Sequence, residues 1–424
     1  MSTLRRSVWV ALCLVLALTA YGVLNHRNIK IDFANFYDAG QKARVGEFAD
    51  LYDPHALIAG KEPFGNMSFV SAPVTSFAYI PLTAMEPWTG TVVFKLAGAL
   101  AEALALALLL WKLRPLAAEA PDGGVATWAL FAWGALFFQP LFSWMFVGGQ
   151  STPFVFLLLV VAWASYLGDR HWVAAFAVAL AVLVKPAFAP AALVLFLFGP
   201  ARFRVAAVAA GAAFALVSVA LLGVDLHIAF VRKALEESAL VNSPWQNSNP
   251  LAWIEVLIVP AADYASGAVR PTDAKLIVGA AQLAAAAAVA ATALWHIRSG
   301  LSRQAARHTA FSASLLVALV ASPIIWSHYL ILLLIPLLPL VALRSHLPRA
   351  AHAVVALGVL LAVFQNTLVV NKLHDMIGFD TQAMLFAIAL LKGATALLML
   401  AALLVWRRAV LVALRRPAWV TLAP

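Results

Sequence analysis

Long apolar runs separated by short polar clusters fill this chain, and the position of each polar break decides its architecture. A membrane-crossing helix needs about 20 apolar residues, somewhat fewer where neighbours shield it. Twelve stretches qualify: 7–24, 91–111, 124–142, 152–168, 171–184, 186–199, 203–223, 275–296, 308–325, 328–343, 351–370 and 381–405. The pattern predicts an all-α polytopic membrane protein, one integral-membrane domain over residues 1–424 with no soluble catalytic domain. Two polar loops are long, 25–90 and 224–274, and they are expected to carry interfacial helices.

Composition agrees with this. The 424 residues are 64% hydrophobic and only 11% charged, where a soluble domain carries roughly 25% charged residues. The formal charge of +10 arises from short basic clusters between apolar runs, which is how topology is encoded, so nucleic acid is not an expected partner. The one cysteine, Cys13, lies within the first apolar run, so there is no disulfide framework and no Cys-based metal site. The basic residues ahead of that run also fit a secretory signal, but its length and the many runs that follow favour an uncleaved first span.

Charge settles the ambiguous stretch 68–87, "SFVSAPVTSFAYIPLTAMEP", which carries Pro73, Pro81 and Pro87. If it crossed the membrane, the cluster at 111–115 and every later loop would invert against the positive-inside rule. Taken as re-entrant or interfacial, it leaves sixteen of the 29 basic residues on one side, with only Glu119, Asp122 and Asp169 as acids there. Both termini are then expected in the cytoplasm and both long loops outside.

Polar residues that packing explains least fall on that outer face. "IDFANFYDAG" holds Asp32, Tyr37 and Asp38; at helical spacing residues 32, 36 and 39 share a face and Asp38 turns away. A capped interfacial helix, with Asp32 at its start and Gly46 as its stop, is an equally local explanation. "GGQST" places Gly148, Gly149 and Gln150 in a turn before a span, as a tight turn, a cap or a ligand contact. In "LVKPAFAP", Lys185 precedes a helix-breaking proline and either snorkels to the interface or meets an anion such as phosphate. "NSPWQNSNPLAW" is dense in amides, among them Gln246 and Asn247, flanked by Trp245 and Trp253, a composition suited to sugar hydroxyls and rings. "SPIIWSHY" brings Trp326 and His328 to another turn, where His328 is either a ligand contact or a hydrogen-bonded interface residue. Metal-ligand spacing, a DxD pair and a Gly-rich phosphate loop are all missing from the sequence.

The ordered set "IDFANFYDAG" with "ADLYDP", "GGQST", "LVKPAFAP", "WQNSNPLAW" and "SPIIWSHY" resembles glycosyltransferase family 87, the polyprenyl-phosphate-mannose-dependent mannosyltransferases of the GT-C superfamily. The resemblance extends over about three quarters of the chain in the same order. It differs in two places: the amide loop reads Gln246, Asn247, Ser248 where the family often has "NQS", and Tyr329 follows His328 where tandem histidines are common. It implies a GT-C fold with its site at the outer surface of the bacterial inner membrane, facing the periplasm. It also implies a polyprenyl-phosphate sugar donor, a glycan or glycolipid acceptor, and surrounding membrane lipids.

On that basis Asp32 is expected as general base, since an inverting transfer needs one base in reach of the acceptor hydroxyl. Lys185 and His328 are expected at the donor phosphate, and Gln246, Asn247, Tyr37, Asp38, Gln150 and Trp326 around sugar and acceptor. Neither cofactor nor metal is expected. Another polyprenyl-phosphate sugar, such as arabinose, glucose or an aminosugar, is the nearest alternative. A lipid-linked saccharide transporter is the more distant one, disfavoured because no repeated halves are evident.

Overall fold

The computed structural model describes residues 31–65, 68–118, 149–241, 247–266, 271–343, 346–351, 381–390 and 407–417, with a few isolated positions besides. The expected spans at 7–24 and 124–142, and most of 351–370 and 381–405, lie outside the described residues, as do Gly148, Trp245 and Gln246.

The described residues are helical, without a strand. We label the helices α1 (Ile31–Val45), α2 (Pro87–Ala118), α3 (Thr152–Leu167), α4 (His171–Val184), α5 (Ala189–Phe198), α6 (Ala201–Ala239), α7 (Thr272–Arg298), α8 (Arg303–Ala321) and α9 (Leu334–Ala342). Of these, α2, α6 and α7 are long and apolar enough to cross a membrane, and the protein is an all-α membrane protein. The others are shorter. The 14 residues of α4 make about 21 Å, less than the roughly 30 Å hydrocarbon core of a bilayer.

Local chemistry ends the helices where the sequence places its stops. Gly46 takes φ +82° after α1, the left-handed conformation that suits glycine. Gly223, at φ 76° and ψ 165°, interrupts α6 at the residue where the span 203–223 is expected to end. Ser302 caps α8 by accepting the Ala305 N–H. Residues 73–84 form a 12-residue 3-10 helix with Pro81 inside it, packed along α1. Proline lacks the N–H that an α-helix requires there.

A large core holds α2, α3, α4, α5, α8 and α9 together, with Trp163, Tyr166, Phe156 and Phe311 fully buried. A second, aromatic cluster fixes α1 to that bundle: Phe33 meets Phe94 of α2 at 5.1 Å and Phe36 stacks on Tyr79 at 5.0 Å.

The bundle has two chemically distinct ends. From Gln150 the chain runs down α3 to a turn at Asp169 and returns up α4 to Lys185; α8 likewise runs from the Asp169 end towards His328. At the Asp169 end, Arg307 and Arg303 both donate to Asp169 Oδ1, the latter at 2.7 Å, and Arg307 also donates to the Leu167 carbonyl at 3.1 Å. This ionic clasp ties the α3–α4 turn to the start of α8, and the Arg307 hydrogen bond holds Asp169 below the usual aspartate range. Gln150, Lys185 and His328 lie at the opposite end, about 24 Å away along the 16 residues of α3.

Candidate active site

Asp32 lies in the first turn of α1. Its position is set by the turn before α3, because Gly149 takes φ +68° and comes so close that a Cβ there would sit 2.7 Å from Phe33 Cβ. Only glycine meets both conditions. The next residue, Gln150, is buried and joins two charges: its side chain donates to the Asp32 carboxylate and its Oε1 accepts from Lys185 Nζ at 3.0 Å.

Lys185 occupies the break between α4 and α5 with extended backbone, φ −136° and ψ 93°. The strand-like stretch before the 3-10 helix braces the break: the Ala72 N–H donates to Leu183 O at 3.0 Å and Ser71 Oγ to Val184 O at 2.7 Å. The ammonium donates to Tyr329 Oη at 3.3 Å and lies 4.8 Å from the centre of that ring. Lys185 is only 9% exposed, which corrects the snorkelling alternative: the side chain turns into the protein, towards an acid.

His328 is fully buried, parallel to Trp326 at 6.5 Å between ring centres and edge-on to Tyr329 at 4.7 Å. It stands within electrostatic range of Lys185. Four segments distant in sequence thus converge in one group of Asp32, Gln150, Lys185, His328 and Tyr329. Burial raises the Asp32 pKa above the ordinary aspartate value, against the lowering effects of Lys185 and the Gln150 hydrogen bond. Burial lowers that of Lys185, and Asp32 opposes the fall. One oxygen, Asp32 Oδ2, is out of water without a hydrogen-bond partner, as are the hydroxyls of Ser151, Thr152 and Ser248. Buried polar atoms without protein partners are uncommon and are found at catalytic sites.

Three other residues expected around sugar and acceptor make hydrogen bonds within the protein. Asp38 is buried and accepts the backbone N–H groups of Phe64 and Gly65 at 2.9 and 2.6 Å, so it organises the first long loop. Tyr37 donates to Met85 O at 2.9 Å inside the aromatic cluster. Asn247 accepts from Ile325 N and Asn249 N, each at 3.0 Å, and donates to Pro323 O at 3.2 Å. It thereby pins the 322–326 turn that presents Trp326 and His328. Asn249, another amide of that loop, completes the clamp by donating to Ser322 O at 2.6 Å and Val320 O at 3.2 Å. These carbonyls at the end of α8 need such partners once buried.

Tyr329 is the site residue that sequence reasoning passed over. It registered only as a departure from a tandem histidine, yet its hydroxyl and ring both contact Lys185.

The membrane-embedded bundle thus gathers an acid, a lysine, a histidine and buried hydroxyls at one end. The comparison with known families is specific: the profile of Glycosyltransferase family 87 matches residues 69–323. That is more than half of the chain, which therefore belongs to this family and is a glycosyltransferase. The match covers Gln150, Lys185 and Asn247, beginning after Asp32 and ending before His328. A search of curated proteins finds no significant match.

Proposed function

We propose that this glycosyltransferase moves a hexose, foremost mannose, from a polyprenyl-phosphate donor to a glycan or lipid-linked acceptor, with inversion, at the outer face of the bacterial inner membrane. The observation that carries the proposal is the buried convergence of Asp32, Gln150, Lys185 and His328 from four separate segments. In this mechanism the acceptor oxygen bonds to the sugar's anomeric carbon as the bond from that carbon to the phosphate oxygen breaks. Asp32 Oδ2 takes the acceptor proton, and its burial-raised basicity suits that task. The departing polyprenyl phosphate keeps the bonding electrons, and its growing charge meets the Lys185 ammonium, held at one place by Gln150 and Tyr329. Preorganised charge of this kind is typically worth a few kcal/mol of barrier. His328 orients the phosphate, and the partly exposed Trp326 beside it offers a ring face to the sugar.

The outer location, the GT-C fold, the twelve crossings and the cytoplasmic termini belong to the same proposal. It is supported by the placement of Asp169, Arg303 and Arg307 at one end of the bundle and the candidate site at the other. Tyr329 in place of a second histidine favours one alternative, a polyprenyl-phosphate donor bearing a sugar other than mannose. The test is to incubate membranes containing the protein with polyprenyl-phosphate donors carrying radiolabelled mannose, glucose or arabinose. Label should pass to a glycan or lipid from one donor, mannose first, and should do so without a nucleotide sugar. Transfer only from a nucleotide sugar would overturn the proposal.

A further inference from the structure

Beyond Gly223, the distal half of α6 is apolar on two opposite faces. One face packs under the platform that carries Asp32: Leu226 and Phe230 join the aromatic cluster, as does Leu222 just before the kink, with Phe230 5.9 Å from Tyr52. On the other, Val224, Ile228, Val231 and Leu235 recur at helical spacing and are 57, 51, 53 and 65% exposed. With His227 and Arg232 they line a groove of about 480 Å³. A helix that is apolar on both sides is stable only when both are covered.

We infer that the hydrocarbon boundary of the lipid leaflet on the side of the candidate site covers this second face, so that the distal half of α6 is an embedded interfacial helix. Two observations commit the face to lipid. It continues, past the kink, the exposed apolar surface of the proximal half, where Val205, Val208, Leu216, Val217 and Leu221 stand outward along a helix of membrane-crossing length. The kink itself is built: Gly223 takes the left-handed conformation, and His227 closes it through hydrogen bonds of 2.7 Å to Gly223 O and to Ser218 Oγ. The charges of the distal half are Asp225, Arg232, Lys233, Glu236 and Glu237, and Lys233 pairs with Glu237 at 2.9 Å. With two basic residues against three acidic ones, insertion is driven by apolar burial rather than by anionic headgroups. The helix then wedges between leaflet and platform and sets the depth at which Asp32 is held. The inference rests on the protein being a membrane protein and is independent of the reaction proposed above.

The test uses the full chain with Cys13→Ser and one new cysteine, Ile228→Cys, Leu235→Cys or Glu236→Cys, labelled with an environment-sensitive fluorophore in phosphatidylcholine vesicles. Labels at 228 and 235 should lose most of their emission to lipids brominated high on their acyl chains and little to aqueous iodide, at low and high salt alike. The label at Glu236, on the exposed polar flank, should show the reverse. Iodide quenching at all three positions would overturn the inference. So would protection of 228 and 235 from both quenchers, which would mean a protein segment or a second copy on this face. Since quenching does not depend on turnover, the result stands whatever the sugar donor is.

Discussion

Replacing Gly149 with alanine perturbs the candidate site without touching a polar group. Two costs follow from the geometry. A non-glycine residue at φ +68° bears a left-handed penalty of about 1–2 kcal/mol. The new methyl would also lie 2.7 Å from Phe33 Cβ, and relieving such overpacking costs typically about 1–3 kcal/mol. Phe33 can move only by shifting the first turn of α1, which carries Asp32. A displacement of about 1 Å at a reacting group lowers a rate by roughly 100-fold. Gly46→Ala is the matched control, because it has φ +82° and nothing within 4 Å of the added Cβ. It bears the conformational cost alone, at the far end of the same helix. The assay pairs thermal unfolding of the purified protein with transfer from the labelled polyprenyl-phosphate donor. Both variants should unfold earlier than wild type, Gly149→Ala more so, and only Gly149→Ala should lose most of its kcat. Equal transfer rates for the two would refute the coupling of the Gly149–Phe33 contact to the position of Asp32.

Three further outcomes follow from the same geometry. Gln150→Ala removes the link between Lys185 and Asp32 and should lower kcat about 10- to 100-fold, since hydrogen bonds to charged groups are worth about 1.5–3 kcal/mol; an unchanged kcat would return Gln150 to a turn residue. Transfer should follow a bell in kcat/KM: it rises as Asp32 deprotonates, above the ordinary aspartate value of about 3.9, and falls as Lys185 loses its proton, below the ordinary lysine value of about 10.4. Lys185→Arg should abolish the alkaline fall, and an alkaline limb unmoved by that substitution would dissociate it from Lys185. Asn249→Ala removes the side-chain donor to Val320 O and leaves Ser322 O with the Gln282 amide, and should destabilise the protein by about 1–3 kcal/mol, read as an earlier thermal transition; no shift would mean the clamp is not needed.

What the sequence made legible follows a simple division. Breaks in helical order were readable because they are local: Gly46 and Gly223 end helical segments through their own backbone conformations, and Pro186 follows directly on the break at Lys185. The prolines of 68–87 marked that stretch as ambiguous, and it forms a 3-10 helix. Asp32, Gln150, Lys185 and His328 were singled out one by one, but their mutual contacts depend on how α1, α3, α4 and α8 pack. For the same reason the backbone partners of Tyr37, Asp38 and Asn247 could not be read in advance. A buried amide or carboxylate that serves a backbone N–H looks, in sequence, the same as one that serves a substrate. Tyr329 was hidden because an aromatic residue at the end of an apolar run gives no sign of the lysine it will face.

The proposed transfer depends on Asp32 acting as base through its unpartnered oxygen, beside a lysine that receives the leaving phosphate. Asp32→Asn preserves shape and the contact with Gln150 while removing basicity, so single-turnover transfer with donor and acceptor both saturating tests the claim most directly. The prediction is a loss of about 100-fold or more, in line with the usual contribution of general base catalysis, with donor binding retained. Transfer at the wild-type rate would contradict it.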